Sequence, residues 1–333
     1  MTKFFELNLQ LFALISPGDV NGTVANASMA TGTANDALSP EMKTFYDMTL
    51  IDMASPELVY NQFGQKRPIP KNGGKTIEFR KFSALPKATT PILEGVTPTG
   101  GALEVTKLEA TVEQYGYYIV QSDVLELTSL DNTIIEATKL LGRQAGITLD
   151  TITRNILMTG LNVSYAGGVD SRDKVTGNIT VADVAKIVAK LRAQNAPTIN
   201  GDYVAIIHPY VAHDLMRDEE WIEAHKYAQP ENLYSGEIGK VCGVRFVQSS
   251  EAKCFGNGVF GCLFFGDGAY GVTEITGGGL QTIVKQKGSA GTADPLDQRS
   301  SIGWKAMTTA EILIPEYLVR YECKTSFGSV EAN

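Results

Sequence analysis

The sequence has little of what builds a reactive centre. Its 333 residues include 3 histidines, 4 cysteines and 2 tryptophans. Cys242, Cys254, Cys262 and Cys323 form no C-x-x-C pair, so neither a disulfide framework nor a zinc knuckle is expected. Basic residues are outnumbered, 29 Lys+Arg against 37 Asp+Glu, and the formal charge of -8 leaves no excess to neutralise phosphates by counterion release. Long apolar runs are missing too: the richest stretch, Val259 to Tyr270, is interrupted by glycines and Asp267, which excludes a membrane-spanning helix there. The opening MTKFFELNLQLFALISPG has one basic residue, Lys3, and Glu6, Asn8 and Gln10 break its apolar core, so it is not expected to act as a secretory leader. A soluble protein made in a reducing cytoplasm is the expectation.

What is present is enough for a substantial core. Hydrophobic residues make up 43% of the chain, and the length suits two domains or one with a large insertion. Residues 16–39 are small and polar, so residues 1–39 read as a flexible arm with an apolar patch at Leu7, Leu9, Leu11 and Phe12. Ser39-Pro40-Glu41 and Ser55-Pro56-Glu57 both read as helix starts, with a cap, a proline preset for the first turn and an acid at the positive dipole end. From Lys75 to Val120 the pattern is extended, with Ile77 and Phe79 in one arm and Leu103, Val105, Leu108, Ala110 and Val112 in the other. The connection from Ser83 to Gly101 is rich in proline and glycine and far longer than a tight turn. Such a two-stranded arm is marginal alone in water and needs a surface to lie on.

Asp131 to Thr159 carries apolar residues at helical spacing, predicting a helix roughly 40 Å long at 1.5 Å per residue. Residues 181–268 alternate helix and strand: Thr180-Val181-Ala182-Asp183 opens a helix, and Tyr203 to Ile207 is an all-apolar strand. Ile302, Trp304, Ala306, Thr308, Ala310, Ile312 and Ile314 alternate with polar or small neighbours, as in a long half-buried strand of a separate C-terminal platform, with Tyr317 to Cys323 following. The fold class is therefore α+β.

The candidates for chemistry are weak. His208, His213 and Asp214 suggest a metal site, but a spacing of five turns the two histidines about 140° apart on a helix, and H-E-x-x-H is absent. Asn72-Gly73-Gly74-Lys75-Thr76 ends like a phosphate loop, yet Ile69 stands where that loop needs its first glycine, so a turn feeding a strand is the better reading. Cys262 lies in an apolar run, as an inert core thiol would. No enzyme activity and no cofactor are expected; a metal-dependent enzyme using the two histidines and Asp214 is the remote alternative.

Four segments together point elsewhere: NLQLFA at 8–13, LSPEMKTFYDMTLIDMASPELVYNQFGQKRPIPKNGGKTIEFRKF at 38–82, TPILEGVTPTG at 90–100, and VAIIHPYVAHDLMRD with GEIGKVCGVRFVQS between 204 and 249. In this order they resemble the major capsid proteins of tailed bacteriophages, in particular the N-four-type family. The resemblance implies the Hong Kong-type capsid fold: residues 1–39 an N-terminal arm; 75–120 the extended loop lying across an adjacent subunit; 40–74, 121–180 and 269–333 the peripheral domain, with a spine helix at 131–159; and 181–268 the axial domain. It implies self-assembly into hexamers and pentamers of an icosahedral head, built in the bacterial host cytoplasm and enclosing double-stranded DNA held without sequence preference. Further partners would be a portal protein and a scaffold or decoration protein, with no membrane involved. The expected intersubunit contacts are Leu9, Leu11 and Phe12 on the arm, and Pro86, Pro91, Leu93, Glu94, Val96 and Pro98 at the loop tip. A lysine to asparagine crosslink is not carried over, because no partner can be matched to Lys87 or Lys107. The same fold forms encapsulin-like bacterial compartments, the first alternative.

Overall fold

The computed structural model describes residues 40–54, 57–82, 85, 87–89, 91, 94–95, 100–128, 133–226, 239–289, 294–328 and 330–333. Helix α1 (Pro40–Ala54) begins on the proline expected to preset its first turn. The second start yields no α-helix among the described residues: Glu57, after residues 55 and 56 that lie outside them, is in a 3-10 turn, and a further 3-10 turn follows at Tyr60–Gln62. The reason is tertiary. The Tyr60 amide donates to Oδ1 of the buried Asp150 at 2.7 Å, so it is not free to bond its own helix.

Asp150 belongs to the long helix α3 (Thr133–Leu157), within the expected 131–159. Its two glycines have a packing reason that outweighs their cost in helix propensity. A Cβ on Gly142 would lie 2.7 Å from the Leu50 carbonyl oxygen, and one on Gly146 would lie 2.5 Å from that of Ala54. Helices α1 and α3 therefore touch backbone to backbone, with Leu50, Leu141, Ala145 and Leu149 buried around the contact.

Both helices rest on a five-stranded sheet organised by the 14-residue strand β12 (Arg299–Ile312). One edge of β12 pairs with β4 (Glu113–Ser122), and the other with β11 (Gln281–Lys285) and then β10 (Tyr270–Glu274). A short strand β1 (Gln65–Lys66) runs parallel to β10. The expected alternation holds, since Ile302, Trp304, Ala306, Thr308 and Ala310 are all buried. Trp304 Nε1 donates to Gln144 Oε1 on α3 at 2.6 Å, tying sheet to helix.

The projecting hairpin is β2 (Thr76–Phe82) with β3 (Val105–Thr111), in register from Thr76 opposite Thr111 to Phe82 opposite Val105. It is shorter than the expected 75–120. Beyond Val112 the chain enters β4, which pairs with β12 along its whole length and so belongs to the platform. The short helix α2 (Asp123–Thr128) follows.

The second sheet has six strands in the order β5-β13-β9-β6-β8-β7. They are β5 (Val163–Tyr165), β6 (Tyr203–Ile207), β7 (Lys240–Val241), β8 (Val244–Gln248), β9 (Val259–Phe265) and β13 (Leu318–Lys324). Helices α4 (Val181–Ala193), α5 (Pro209–Met216) and α6 (Glu219–Lys226) complete this unit. The α4 start closes as its sequence predicts: the Asp183 amide donates to Thr180 Oγ1 at 3.2 Å, and that hydroxyl donates to Asp183 Oδ2 at 2.8 Å. Every residue of β6 and β9 is buried, because neighbours cover both faces.

Strand β13 departs from the expected boundary at residue 268. The sequence places it with the C-terminal platform, but it pairs with β9 from Leu318 opposite Phe265 to Lys324 opposite Val259, and with β5 on its other side. Its side chains explain this. Leu318, Val319, Tyr321 and Cys323 are buried on both faces, which a platform covered by helices on one face cannot provide. Glu322 is fully buried and receives two 2.7 Å hydrogen bonds from Arg172, whose guanidinium also lies 3.5 Å above the Phe255 ring.

Candidate assembly surfaces

The histidine cluster is structural. His208 caps α5, its Nδ1 accepting from the Tyr210 amide at 3.1 Å while its ring stacks on Phe260, and burial holds its pKa below the usual imidazole value. His213 sits 3.3 Å from Asp214, but the Asp214 carboxylate also accepts from the amide and hydroxyl of Ser326, which pin the C-terminal segment. Among the described residues no group of three or more His, Cys, Asp or Glu is placed to hold a metal ion. Cys262 and Cys323 are buried with their sulfurs 4.0 Å apart, and contact with Cys262, then burial, raises the Cys323 pKa well above the ordinary thiol value. Neither is primed as a nucleophile. Asn72 and Gly74 adopt positive φ, 69° and 89°, in the turn that feeds β2, as the turn reading requires.

The unusual features are on the surface. At the hairpin tip Pro91 and Glu94 are exposed, as is Leu85. Pro86, Leu93, Val96 and Pro98 lie outside the described residues, as do Leu9, Leu11 and Phe12. The hairpin is braced by charge across its strands. Glu78 bonds Arg80 at 3.0 Å and Lys107 at 3.3 Å, and Arg80 first, then Lys107, holds its carboxyl below the usual range. Lys81 reaches Glu316 at 3.1 Å, connecting the hairpin to the turn before β13. A cavity of about 750 Å³ opens at the hairpin root, with Phe79, Leu108, Leu313 and Tyr317 as apolar walls and Arg67 among its lining residues.

Sequence reasoning missed the second surface, the platform strand β4. Tyr117, Tyr118, Ile119 and Val120 are all exposed in succession, and β4 pairs with β12 alone among the described strands. The run of four apolar residues was the available signal, but it reads as hairpin arm until the partner strand is known. Ile283 on β11 is also exposed, and a groove of about 510 Å³ crosses this face between Tyr118, Ile283 and Gly303. Exposed Val124, Leu125 and Leu127 of α2 continue the apolar surface. A monomer that stays in solution rarely leaves so many large apolar side chains bare on two consecutive elements.

One buried group stands apart. Asp150 is fully buried, its Oδ1 accepts from the Tyr60 amide, and burial raises its pKa to about 7 against the opposing pull of the backbone amides of Tyr60, Asn61 and Val59. Tyr270 closes the arrangement by donating its hydroxyl to the Tyr60 carbonyl at 2.5 Å. The carboxylate thus fixes the chain between α1 and the hairpin to the long helix.

Comparison with known proteins agrees with a surface built for assembly. Residues 105–320 match the model of a family described as phage capsid protein. No curated protein matches the sequence. The fold is similar to that of the capsid structure of the cyanophage P-SCSP1u, with a TM-score of 0.62 at 14% identity over 81% of this chain and 89% of that one. It is similar to the capsid of Ralstonia phage GP4, with a TM-score of 0.61 at 12% identity over 80% and 88%. The cyanophage Pam1 capsid matches over 92% of this chain and 100% of its own, with a TM-score of 0.60 and 13% identity. At these identities the likeness is one of fold, and the fold is the Hong Kong-type α+β capsid architecture.

Proposed function

Because the chain belongs to the phage capsid protein family and so builds the icosahedral head of a phage rather than catalysing a reaction, we propose that it is the major subunit, assembling into hexamers and pentamers around packaged double-stranded DNA. The observation that carries this reading is the incomplete platform: a long sheet whose β4 edge, among the described residues, is apolar and bare. Such parts bury area only against neighbours.

In this reading the β2–β3 hairpin is the extended loop, α3 the spine helix and the six-stranded unit the axial domain. The tip residues Pro86, Pro91, Leu93, Glu94, Val96 and Pro98 contact an adjacent subunit. The net charge of -8 suits a wall that encloses DNA without gripping it, since tight phosphate binding opposes packaging and release. The N-four-type subgroup is supported by the four sequence segments. A portal protein, a scaffold or decoration protein and assembly in the bacterial host cytoplasm complete the proposal. The compartment-shell reading shares the fold, and the family match favours the phage head over it.

Size-exclusion chromatography followed by negative-stain electron microscopy tests this directly. Closed shells or capsomer rings in the void volume are expected. A homogeneous monomer or dimer, even with a co-expressed scaffold, would reject the proposal.

A further inference from the structure

Two surfaces of the subunit complement each other but lie too far apart to meet within one chain. The first is the cavity of about 750 Å³ at the hairpin root, walled by Phe79, Leu108, Leu313 and Tyr317. Arg67, Arg80 and Lys81 also line it, against one acid, Glu316, which Lys81 already bonds at 3.1 Å. Arg67 lies over the Phe79 ring, 5.7 Å from its centroid, and has no carboxylate within ion-pair distance among the described residues. The sequence around it is basic: Lys66, Arg67, Lys71, Lys75, Arg80 and Lys81 stand against Glu78 alone, in a chain whose net charge is -8. An apolar cavity with unneutralised cations fits a segment that is apolar and acidic together.

Helix α2 is such a segment. Leu125 is 50% exposed and Leu127 81%. Asp123 and Glu126 share the helix, and no lysine, arginine or histidine occurs between Lys107 and Lys139. Its own cavity is out of reach. The Asp123 amide donates to the Gln298 carbonyl at 3.0 Å, just before β12 begins, whereas Leu313 and Ile314 of the cavity follow the last residue of that strand. The 14 residues of β12 hold the two surfaces about 45 Å apart. A contact between different patches on two copies is heterologous, repeats head to tail and closes into a ring where the rotation allows.

We propose that α2 of one subunit docks in the hairpin-root cavity of a second copy, with Leu125 and Leu127 on its apolar walls and the acids of α2 offsetting the charge of Arg67 and its neighbours. Apolar burial supplies the affinity, and the charges select the partner surface and its orientation. The proposal rests on the shell-forming reading and names one head-to-tail contact by which subunits close into capsomers.

Thiol labelling on the full-length chain, before and after assembly, reads the docking. A Cys242→Ser background removes the exposed native thiol, and the other three are buried. Leu127→Cys and Gln65→Cys, the latter at the cavity lining, both alter exposed positions and should keep the wild-type circular dichroism. The Leu127→Cys thiol is expected to react with a maleimide at least about tenfold more slowly in shells than in the free subunit. A chain with both cysteines, treated with a short bismaleimide, should give a ladder of linked subunits on a denaturing gel. A mixture of the two single-cysteine chains should stop at dimers of one each. Arg67→Glu should raise the subunit concentration needed for shells at least about threefold. Equal labelling in shells and free subunit, dimers among Leu127→Cys chains alone, crosslinks that close only within one chain, or an unchanged threshold for Arg67→Glu would each overturn the proposal and leave the shell reading intact. Protection that arises only when a different virion protein is added would overturn it too, by assigning α2 to that partner. Failure of the wild type to form shells at all would sink both.

Discussion

The two sheets solve the same problem in opposite ways. In the six-stranded sheet β6 and β9 are buried on both faces by the subunit's own elements, and even Glu322 has its cation within the chain. In the five-stranded platform one face has α1 and α3, while the edge strand β4 keeps four apolar side chains in water. Among the described residues one unit is closed by its own elements and the other leaves an apolar edge bare. Stability of the subunit should therefore be concentrated in the first, and assembly in the second.

Breaking that contrast starts with the buried Glu322 and its cation. Arg172→Ala leaves the Glu322 carboxylate without its bidentate partner, and a loss of about 3 kcal/mol in denaturant unfolding is expected. A loss below about 1 kcal/mol would show that the neighbouring Arg320, 3.0 Å away, already suffices. Gly142→Ala forces a methyl group against the Leu50 carbonyl oxygen and should cost about 2 kcal/mol by separating α1 from α3, read as a lowered midpoint of thermal unfolding.

Asp150→Asn should act on pH dependence. The Asp150 pKa is raised in the folded subunit to about 7 from 3.8, so the folded state holds a proton that the unfolded state releases between those values. This group's cost to stability is absent below about pH 4, grows as pH rises and is complete above about pH 7. The asparagine variant should flatten that slope and gain about 1 kcal/mol or more at pH 8 relative to wild type. An unchanged slope in urea titrations from pH 4 to 8 would assign the pH dependence elsewhere. The smallest effect on the subunit belongs to Tyr118→Ser, expected within about 0.5 kcal/mol of wild type by unfolding because the side chain is exposed. Its shells, by contrast, should be fewer and less stable to heat, and normal shells would remove Tyr118 from the interface.

Local order was legible in the sequence, and pairing was not. The long helix, the α4 cap, the buried strand Tyr203 to Ile207 and the alternation of β12 follow from periods and caps that each segment carries within itself. Which sheet receives β13 depends on Phe260 to Phe265, more than fifty residues upstream, and apolar residues on both of its faces are the only local hint. The end of the hairpin at Val112 is equally hidden, because β3 and β4 share one extended pattern and differ only in partner. The turn at Tyr60 is invisible in its own segment because its cause, Asp150, lies ninety residues on. Of the candidate site, the sequence marks the tip and arm segments, with Pro91 and Glu94 found exposed. The β4 edge becomes visible only when its single partner is seen.

The glycine crossing of α1 and α3 also has a mechanical meaning. Leu50 meets Gly142 and Ala54 meets Gly146, so the two helices run in the same direction where they touch. Any tension on the N-terminal segment enters α1 at Pro40 and is carried along a 15-residue rod clamped lengthwise to the long helix. Pulling along that axis loads the clamp in shear, so its contacts must yield together instead of peeling one by one. A head under internal pressure would strain its tethers where each subunit is hardest to open.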